Sequence, residues 1–288
     1  NNLQCIYNAA KAHESENIQL QAETQILTKI CCYKDLKEWE YVPEAGSALE
    51  KVRNLRAFFG VSSLDRIPEV EAVTFRRSKS AKVNPYCLSA WLRCGEIDAR
   101  KLTINSFDRD SLIDNMKEFR ALTSEEPKVF VPKIRNKCAE CGIAVVFVPH
   151  FQKTSVNGAT RWINAQSAIV QLSVRYAWED IFWFTFFHEL GHILKHGKKE
   201  QFIEMKYISN ESKEREADEF AVEALIPGED WSSFKGAGNY SAVSVNYFAK
   251  QQGISPAIVA GRLSHETGNW KKWTGLRRKF VLVKDSEN

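Results

Sequence analysis

The sequence predicts an α+β fold that is mostly helical, with a small three-stranded sheet in the middle of the chain and a helix-turn-helix-like segment near its end. Two observations support this prediction. Apolar residues recur at helical spacing over most of the chain, whereas three short apolar runs of strand length lie between positions 142 and 173. The resulting order of helices, sheet and further helices is typical of an α+β protein.

Helical patterns dominate the first 130 residues, which we divide into two segments. The first, 1–70, is helical and contains an amphipathic helix over Ala48–Phe59 that ends at a glycine. The second, 71–130, is a helical middle region. It begins with a basic, loop-rich stretch and continues with helical patterns at 86–102 and 109–122.

The third segment, 131–235, combines the sheet with the most apolar helix of the chain. A helix is predicted at 132–141, and a long apolar helix over Glu179–Lys195 is followed by a further helix at 213–225. We expect the sheet to pack on the long helix. The predicted strands are 142–148, 158–163 and 168–173.

The fourth segment, 236–288, has the pattern of a helix-turn-helix. A helix over 245–253 is followed by a second helix over 257–265. Ser255 and Pro256 supply the N-cap and the first helical position of the second helix.

The composition is that of an ordinary folded protein and excludes several other classes. The chain has 288 residues, 44% of them hydrophobic and 26% charged, which excludes disordered and collagen-like chains. The net charge of +4 does not by itself indicate a nucleic-acid partner.

No apolar run approaches the roughly 18 residues of a membrane span, and the first residues lack a signal-peptide pattern. We expect no membrane partner. The seven irregularly spaced cysteines predict reduced thiols and a cytoplasmic location.

The motif with the clearest chemistry is an H-E-x-x-H formed by His188, Glu189 and His192 on the long helix. Residues four apart in a helix are separated by about 40° around its axis, so both imidazoles point the same way and can share one metal ion. The carboxylate of Glu189 lies on the neighbouring face, where it can reach a water molecule at that metal.

A catalytic zinc site usually has a third protein ligand, which we expect on the helix over 213–225. Glu214 and Asp218 lie one turn apart on one face of that helix. We predict that Glu214 ligates the metal and that Asp218 accepts the other ring N–H of a ligating histidine. Glu216 is the main alternative ligand. His196 is a weaker one, because the rise of about 12 Å from His188 is too long for one zinc ion.

Three stretches of the sequence resemble the ImmA/IrrE family of zinc metallopeptidases. They are 188–196 (HELGHILKH), 214–221 (EREADEFA) and the Leu-Ile-Pro at 225–227, within a likeness that covers about 140–230. A looser likeness extends in both directions to the form found in HigA-like regulators. In such proteins a DNA-binding domain of the XRE type commonly precedes the peptidase. Residues 1–45 are too short for a complete one, so we expect that domain to lie upstream or to have been removed.

The resemblance implies a zincin-type fold, of the gluzincin-like kind, with one Zn²⁺ per chain. It also implies an endopeptidase that cleaves a protein substrate, a transcriptional repressor or an antitoxin, in stress response, mobile-element or toxin–antitoxin control. Glu189 would serve as the general base. For the donor that assists zinc at the oxyanion, Arg161, His196, Tyr207 and Tyr240 are candidates. We favour Arg161, whose strand could pair with an extended substrate if it lies at a sheet edge.

The alternative interpretation is a catalytically silent, metal-binding transcriptional regulator or antitoxin that binds DNA or a partner protein. Its evidence is the helix-turn-helix-like segment followed by the aromatic and basic residues of 270–279. DNA binding is then predicted through this C-terminal region or through an upstream domain.

Overall fold

The computed structural model describes residues 2–67, 83–196, 202–205 and 211–283. The chain divides into two compact units. The first consists of Asn1–Cys94 with Phe151–Ser155, and the second of Gly95–His150 with Val156–Asn288. The predicted segment boundaries at 70 and 130 do not coincide with this division, and the four-segment scheme stays a prediction.

The first unit is helical, as its sequence pattern indicates. Its core contains Leu20, Leu36, Leu55 and Trp91, all fully buried. The predicted helix Ala48–Phe59 has the expected bounds, because the Ser47 side chain accepts a hydrogen bond from the Glu50 amide and Gly60 ends it in a left-handed conformation. The α-helices that begin in this unit are α1 (Asn2–Glu23), α2 (Tyr33–Glu38), α3 (Ala48–Phe59) and α4 (Pro85–Ala99).

A buried carboxylate, that of Glu23, joins α1 to two other parts of this unit. Arg56 donates two hydrogen bonds to it, at 2.5 and 3.0 Å, the Ser63 hydroxyl donates at 2.6 Å and the Leu64 amide at 2.9 Å. Burial by itself raises the pKa of Glu23, but these donors outweigh it and the net pKa is lowered. The folded state therefore stabilises the ionised form of the Glu23 carboxyl group.

We expect Glu23→Gln to lower the free energy of unfolding by about 3 kcal/mol, because it removes the buried carboxylate and leaves the partly buried Arg56 without its counter-charge. Urea denaturation measures the change. Glu44→Gln, which removes only an exposed ion pair with Lys37, is the matched control and should change stability by less than about 1 kcal/mol. Because the folded pKa of Glu23 is lowered, the difference between wild type and Glu23→Gln should be full above pH 4.5 and shrink as the pH falls through the folded pKa. Equal losses in both variants would contradict this role.

The second unit is an α+β structure, which bears out the predicted fold class. The three predicted strands are present as β1 (Ile143–Phe147), β2 (Val156–Asn164) and β3 (Ser167–Leu172). A fourth strand, β4 (Phe202–Met205), extends the sheet, whose order is β1-β3-β2-β4. Strands β1 and β3 are parallel, whereas β2 is antiparallel to both β3 and β4. Strand β2 therefore does not meet the condition stated for pairing with a substrate, that it lie at a sheet edge, because β4 pairs along its other side.

The helices of the second unit follow the predicted pattern with local differences. The helix predicted at 132–141 starts earlier, because Pro127 occupies its first turn and Pro132 is accommodated inside it. The pattern at 109–122 is broken into two short helices at Asn115. The bounds of these helices are α5 (Arg109–Asp114), α6 (Met116–Ala121), α7 (Pro127–Glu140), α8 (Glu179–Lys195), α9 (Glu211–Leu225), α10 (Gly228–Gly236), α11 (Ala242–Gln252) and α12 (Pro256–Thr267).

Helix α8 has the bounds that the sequence predicts and lies in the core of the second unit. Its apolar side chains include Trp183, Phe186 and Phe187, all fully buried. Two carboxylates at its start are held by the C-terminal part of the chain: Arg277 pairs with Asp180, and Arg278 with Glu179. The helix is thus fixed in place by burial along its length and by ion pairs at its N-terminus.

Helices α11 and α12 occupy the segment predicted to be helix-turn-helix-like. Gly253 ends α11 with a positive φ of 66°, and the Ser255 hydroxyl accepts a hydrogen bond from the Ala257 amide at the start of α12. A DNA-binding role for this pair stays a prediction. Within the described ranges, no helix has the length and apolar character needed to cross a membrane.

Candidate metal centre

The two histidines of the H-E-x-x-H motif face each other on the inner side of α8. The Nε2 atoms of His188 and His192 lie 2.9 Å apart, and both side chains are almost fully buried. This follows from helix geometry, since residues four apart share one face. Burial lowers the pKa of His192, against the opposing effect of Glu214, so its imidazole is neutral at pH 7, the form that binds metals.

Glu214 on α9 completes the cluster. Its Oε2 lies 3.2 Å from His188 Nε2, and its Oε1 lies 3.6 Å from His192 Nε2. Burial alone would raise the pKa of this carboxyl group, but the two imidazoles lower it to about 2. Gly191 allows α9 to approach, because a Cβ there would lie 3.1–3.3 Å from Phe220 and Ala217. The carboxylate is thus ionised and directed at both rings.

The donor set fits a zinc ion. One ligand atom from each of His188, His192 and Glu214 lies within 4.8 Å of the other two, and among the described residues this is the group that could hold a metal. Tetrahedral zinc with bonds of about 2.0–2.1 Å requires ligand atoms about 3.3 Å apart. The two imidazole nitrogens are 2.9 Å apart, and they lie 3.2 and 3.6 Å from Oε2 and Oε1 of Glu214, respectively, which is close to that spacing. Two imidazoles and one carboxylate also match a catalytic zinc site, which keeps a fourth position for water or substrate.

Asp218 lies behind the His188 ring, on the side opposite the cluster. Its Oδ1 is 2.8 Å from His188 Nδ1. The carboxylate accepts the Nδ1–H, which leaves the lone pair on Nε2 and makes that nitrogen a better ligand. The structure therefore brings Asp218 and His188 together in the arrangement predicted from the i, i+4 spacing of Glu214 and Asp218.

Glu189, the predicted general base, is fully buried and contacts strand β2. The Thr160 hydroxyl donates a hydrogen bond to Glu189 Oε2 at 2.6 Å. Gly158, two residues earlier on the same face of β2, leaves room for the carboxylate, because a Cβ there would lie 2.5 Å from Glu189 Oε1. The sequence alone did not indicate that Thr160 and Gly158 belong to the site. The strand was predicted, but its register against α8 depends on tertiary packing and leaves no local signal.

We expect Thr160→Val, which keeps the shape of the side chain but removes its hydroxyl, to lower kcat for peptide cleavage by about 10–100-fold. The reason is that the carboxylate of Glu189 loses the donor that orients it and favours its ionised form. The pH dependence of kcat should shift to higher pH in Thr160→Val and return in Thr160→Ser. A lower kcat with an unchanged pH profile would indicate a structural role alone.

His196 and Glu216, the alternative ligands, do not join the cluster. His196 follows the end of α8, and its Nε2 contacts the Lys213 carbonyl oxygen at 3.1 Å. Glu216 is exposed and accepts a hydrogen bond from the Ser212 hydroxyl. Of the open possibilities for the third ligand, the geometry therefore favours Glu214.

Two of the predicted oxyanion donors, Arg161 and Tyr240, are not brought to Glu189. Successive residues of a strand point to opposite faces, so Arg161, though buried, points away from the face on which Thr160 meets Glu189. The Tyr240 hydroxyl donates to the Lys235 carbonyl oxygen at 3.0 Å. Tyr207 lies outside the described residues.

Residues 142–264 match the M78 peptidase family model described as the IrrE N-terminal-like domain. The chain carries an ImmA/IrrE-family domain. This family is one of metallopeptidases, and it implies a metal, typically zinc, for which the His188, His192 and Glu214 group is the candidate site. The matched range begins just before β1 and ends within α12, so it includes the sheet, both helices of the candidate site, α11 and most of α12. No curated protein was found to match the chain.

Proposed function

We propose that this ImmA/IrrE-family protein is a zinc-dependent endopeptidase. The observation that carries the proposal is the convergence of two imidazole nitrogens and one ionised carboxylate, from His188, His192 and Glu214, on one point. The buried Glu189 follows His188 in the same motif. The family match supports the same class of chemistry.

The roles of the residues follow from their contacts. A zinc ion bound by His188, His192 and Glu214 supplies Lewis-acid chemistry to the scissile carbonyl and the attacking water. Glu189 accepts the proton of that water and delivers it to the nitrogen of the leaving amine. Thr160 holds the Glu189 carboxylate in position for both transfers, and Asp218 fixes the tautomer of His188.

An extended peptide is the substrate that the sheet favours. Among the described residues, strand β4 pairs with β2 and is the last strand in the order β1-β3-β2-β4, so its other edge offers backbone groups to a substrate strand. We propose that the substrate is a repressor or antitoxin-like protein, as the family resemblance implies. The second oxyanion donor stays a prediction, with His196 and Tyr207 as its remaining candidates.

Digestion of a peptide library derived from a whole proteome tests this function and does not require an identified substrate. We expect the zinc-loaded chain to generate new peptide termini with a common sequence preference. A zinc chelator such as 1,10-phenanthroline should abolish them, and added zinc should restore them. Cleavage that continues in the chelator would contradict the proposal. An absence of cleavage by the zinc-loaded chain of both the library and intact repressor or antitoxin proteins would favour the silent regulator.

The contacts of the basic C-terminal residues weigh against their use in DNA binding. Arg277 is buried against Asp180, and Arg278 bonds to Glu179 and Glu126. Lys272 lies over the ring of Trp273. These interactions support a structural role for this stretch within the second unit. If DNA binding nevertheless occurred through it, affinity would fall steeply with salt concentration.

A further inference from the structure

Three cysteine thiols meet in the first unit, although their positions in the sequence are far apart. Cys31 and Cys32 lie between α1 and α2, and Cys87 lies in the first turn of α4. The Sγ atoms of Cys31 and Cys87 are 3.0 Å apart. Cys32 and Cys87 are buried, whereas Cys31 is exposed. None of the three belongs to the His188, His192 and Glu214 group.

The local fold fixes Cys87 against the chain that carries the other two thiols. Asn84 precedes α4, and its side-chain oxygen accepts a hydrogen bond from the Cys87 amide at 3.1 Å. The side-chain nitrogen of Asn84 donates to the Lys29 carbonyl oxygen at 2.7 Å. The same residue thus caps the 15-residue helix α4 and holds its first turn beside the segment that follows Lys29.

The surroundings of Cys87 favour its thiolate form. Hydrogen bonds from the Cys32 thiol, and also from the Cys31 thiol and the backbone amides of both residues, outweigh burial and lower the pKa of Cys87 to about 7. A position in the first turn of a helix favours a negative charge in the same way. Partial desolvation of its sulfur and the contact with Cys87 raise the pKa of Cys31 to about 11, so Cys31 retains the proton that the two sulfurs share.

We propose that Cys31 and Cys87 form a redox-modification site, at which a low-molecular-weight disulfide is reduced and an intramolecular Cys31–Cys87 disulfide is formed. Exposure makes Cys31 the sulfur that the reagent reaches. The short distance to Cys87 makes the second step intramolecular. Cys32, although adjacent, is buried and does not meet the reagent first.

The reaction balances without any further reagent. Cys31 passes its proton to Cys87, and its thiolate attacks the disulfide R–S–S–R, giving Cys31–S–S–R and releasing R–S⁻. That thiolate takes the proton from Cys87 and leaves as R–SH. The Cys87 thiolate then attacks the Cys31 sulfur, breaks the mixed disulfide and releases a second R–S⁻. The two cysteine sulfurs lose two electrons, and the two sulfurs of the reagent gain them.

Mass spectrometry of the full chain after treatment with oxidised glutathione tests this proposal. The reduced protein is incubated with the reagent, quenched with N-ethylmaleimide in denaturant and digested with trypsin. We expect a cross-link between the peptide 30–34 and the peptide 83–93, reversible by dithiothreitol. It should form at least about tenfold faster than the glutathione adduct of Cys5, an exposed cysteine that contacts no other thiol within the described part of the chain.

Variants and fragment ions distinguish Cys31 from Cys32, which share one tryptic peptide. The cross-link should persist in Cys32→Ser and in the matched control Cys5→Ser, and it should disappear in Cys31→Ser. If Cys32→Ser does not fold, fragment ions that separate Cys31 from Cys32 give the same assignment in the wild type. Three results would overturn the proposal: a Cys32–Cys87 cross-link, a stable glutathione adduct on Cys31 with Cys87 still alkylated, or no cross-link by the time Cys5 has reacted.

Discussion

The variant Glu189→Gln should lose about a thousandfold or more of its peptide-cleavage rate while it still binds zinc. Glutamine has the shape of glutamate and can keep the hydrogen bond from Thr160, but it cannot accept a proton at neutral pH. The metal cluster consists of His188, His192 and Glu214 and does not include Glu189, so its ligands are unchanged. The loss should appear in kcat, because proton transfer belongs to the chemical step.

The measurement is the steady-state rate on a peptide identified by the library digestion, with zinc content determined on the same samples. Glu216→Gln, which changes an exposed carboxylate of α9, is the matched control and should retain the wild-type rate. Full activity of Glu189→Gln would remove Glu189 from the mechanism. Loss of zinc together with activity would assign Glu189 a role in metal binding instead.

The second large effect is expected at Glu214. Replacing it with alanine removes one of three protein ligands and leaves two buried imidazoles to hold the ion. We expect zinc affinity to fall by at least about a hundredfold. Mutating a residue that only hydrogen-bonds to a metal ligand typically lowers affinity by about 10–100-fold, and losing a ligand itself should cost at least as much as the upper end of that range. Competition with a chromophoric zinc chelator measures this change.

Two further variants sharpen this prediction. Asp218→Asn should lower zinc affinity by only about 10–100-fold, because it weakens the bond to His188 Nδ1 but removes no ligand. Glu216→Ala should leave the affinity unchanged. A Glu214→Ala protein with wild-type affinity would contradict the proposed ligand set, and a loss in Glu216→Ala would move the third ligand to that residue.

The parts of the site that lie on single helices could be predicted from the sequence. The spacing of His188 and His192 determines their common face, and the spacing of Glu214 and Asp218 does the same on α9. The bounds of α8 were predictable because an apolar run begins after two acidic residues and is followed by a glycine. These features depend on residues that are close in sequence, and the periodicity of the helix determines which of their side chains share a face.

The parts that depend on packing between elements could not be predicted. Thr160 and Gly158 contact Glu189 only because β2 takes one particular register against α8, and a shift of one residue would turn Arg161 inward instead. The approach of α9 to α8 at Gly191 is also a tertiary feature. Strand β4 is short and carries no distinct alternation, so the interior position of β2 could not be recognised.

Native mass spectrometry of the full chain in the presence of zinc tests the central claim most directly. We predict one zinc ion per chain in the wild type and none in the double variant His188→Ala/His192→Ala, which keeps Glu214 but lacks both imidazoles. One zinc ion retained by the double variant would place the metal elsewhere. A wild-type chain that binds no zinc would contradict the account of this site as a metallopeptidase centre.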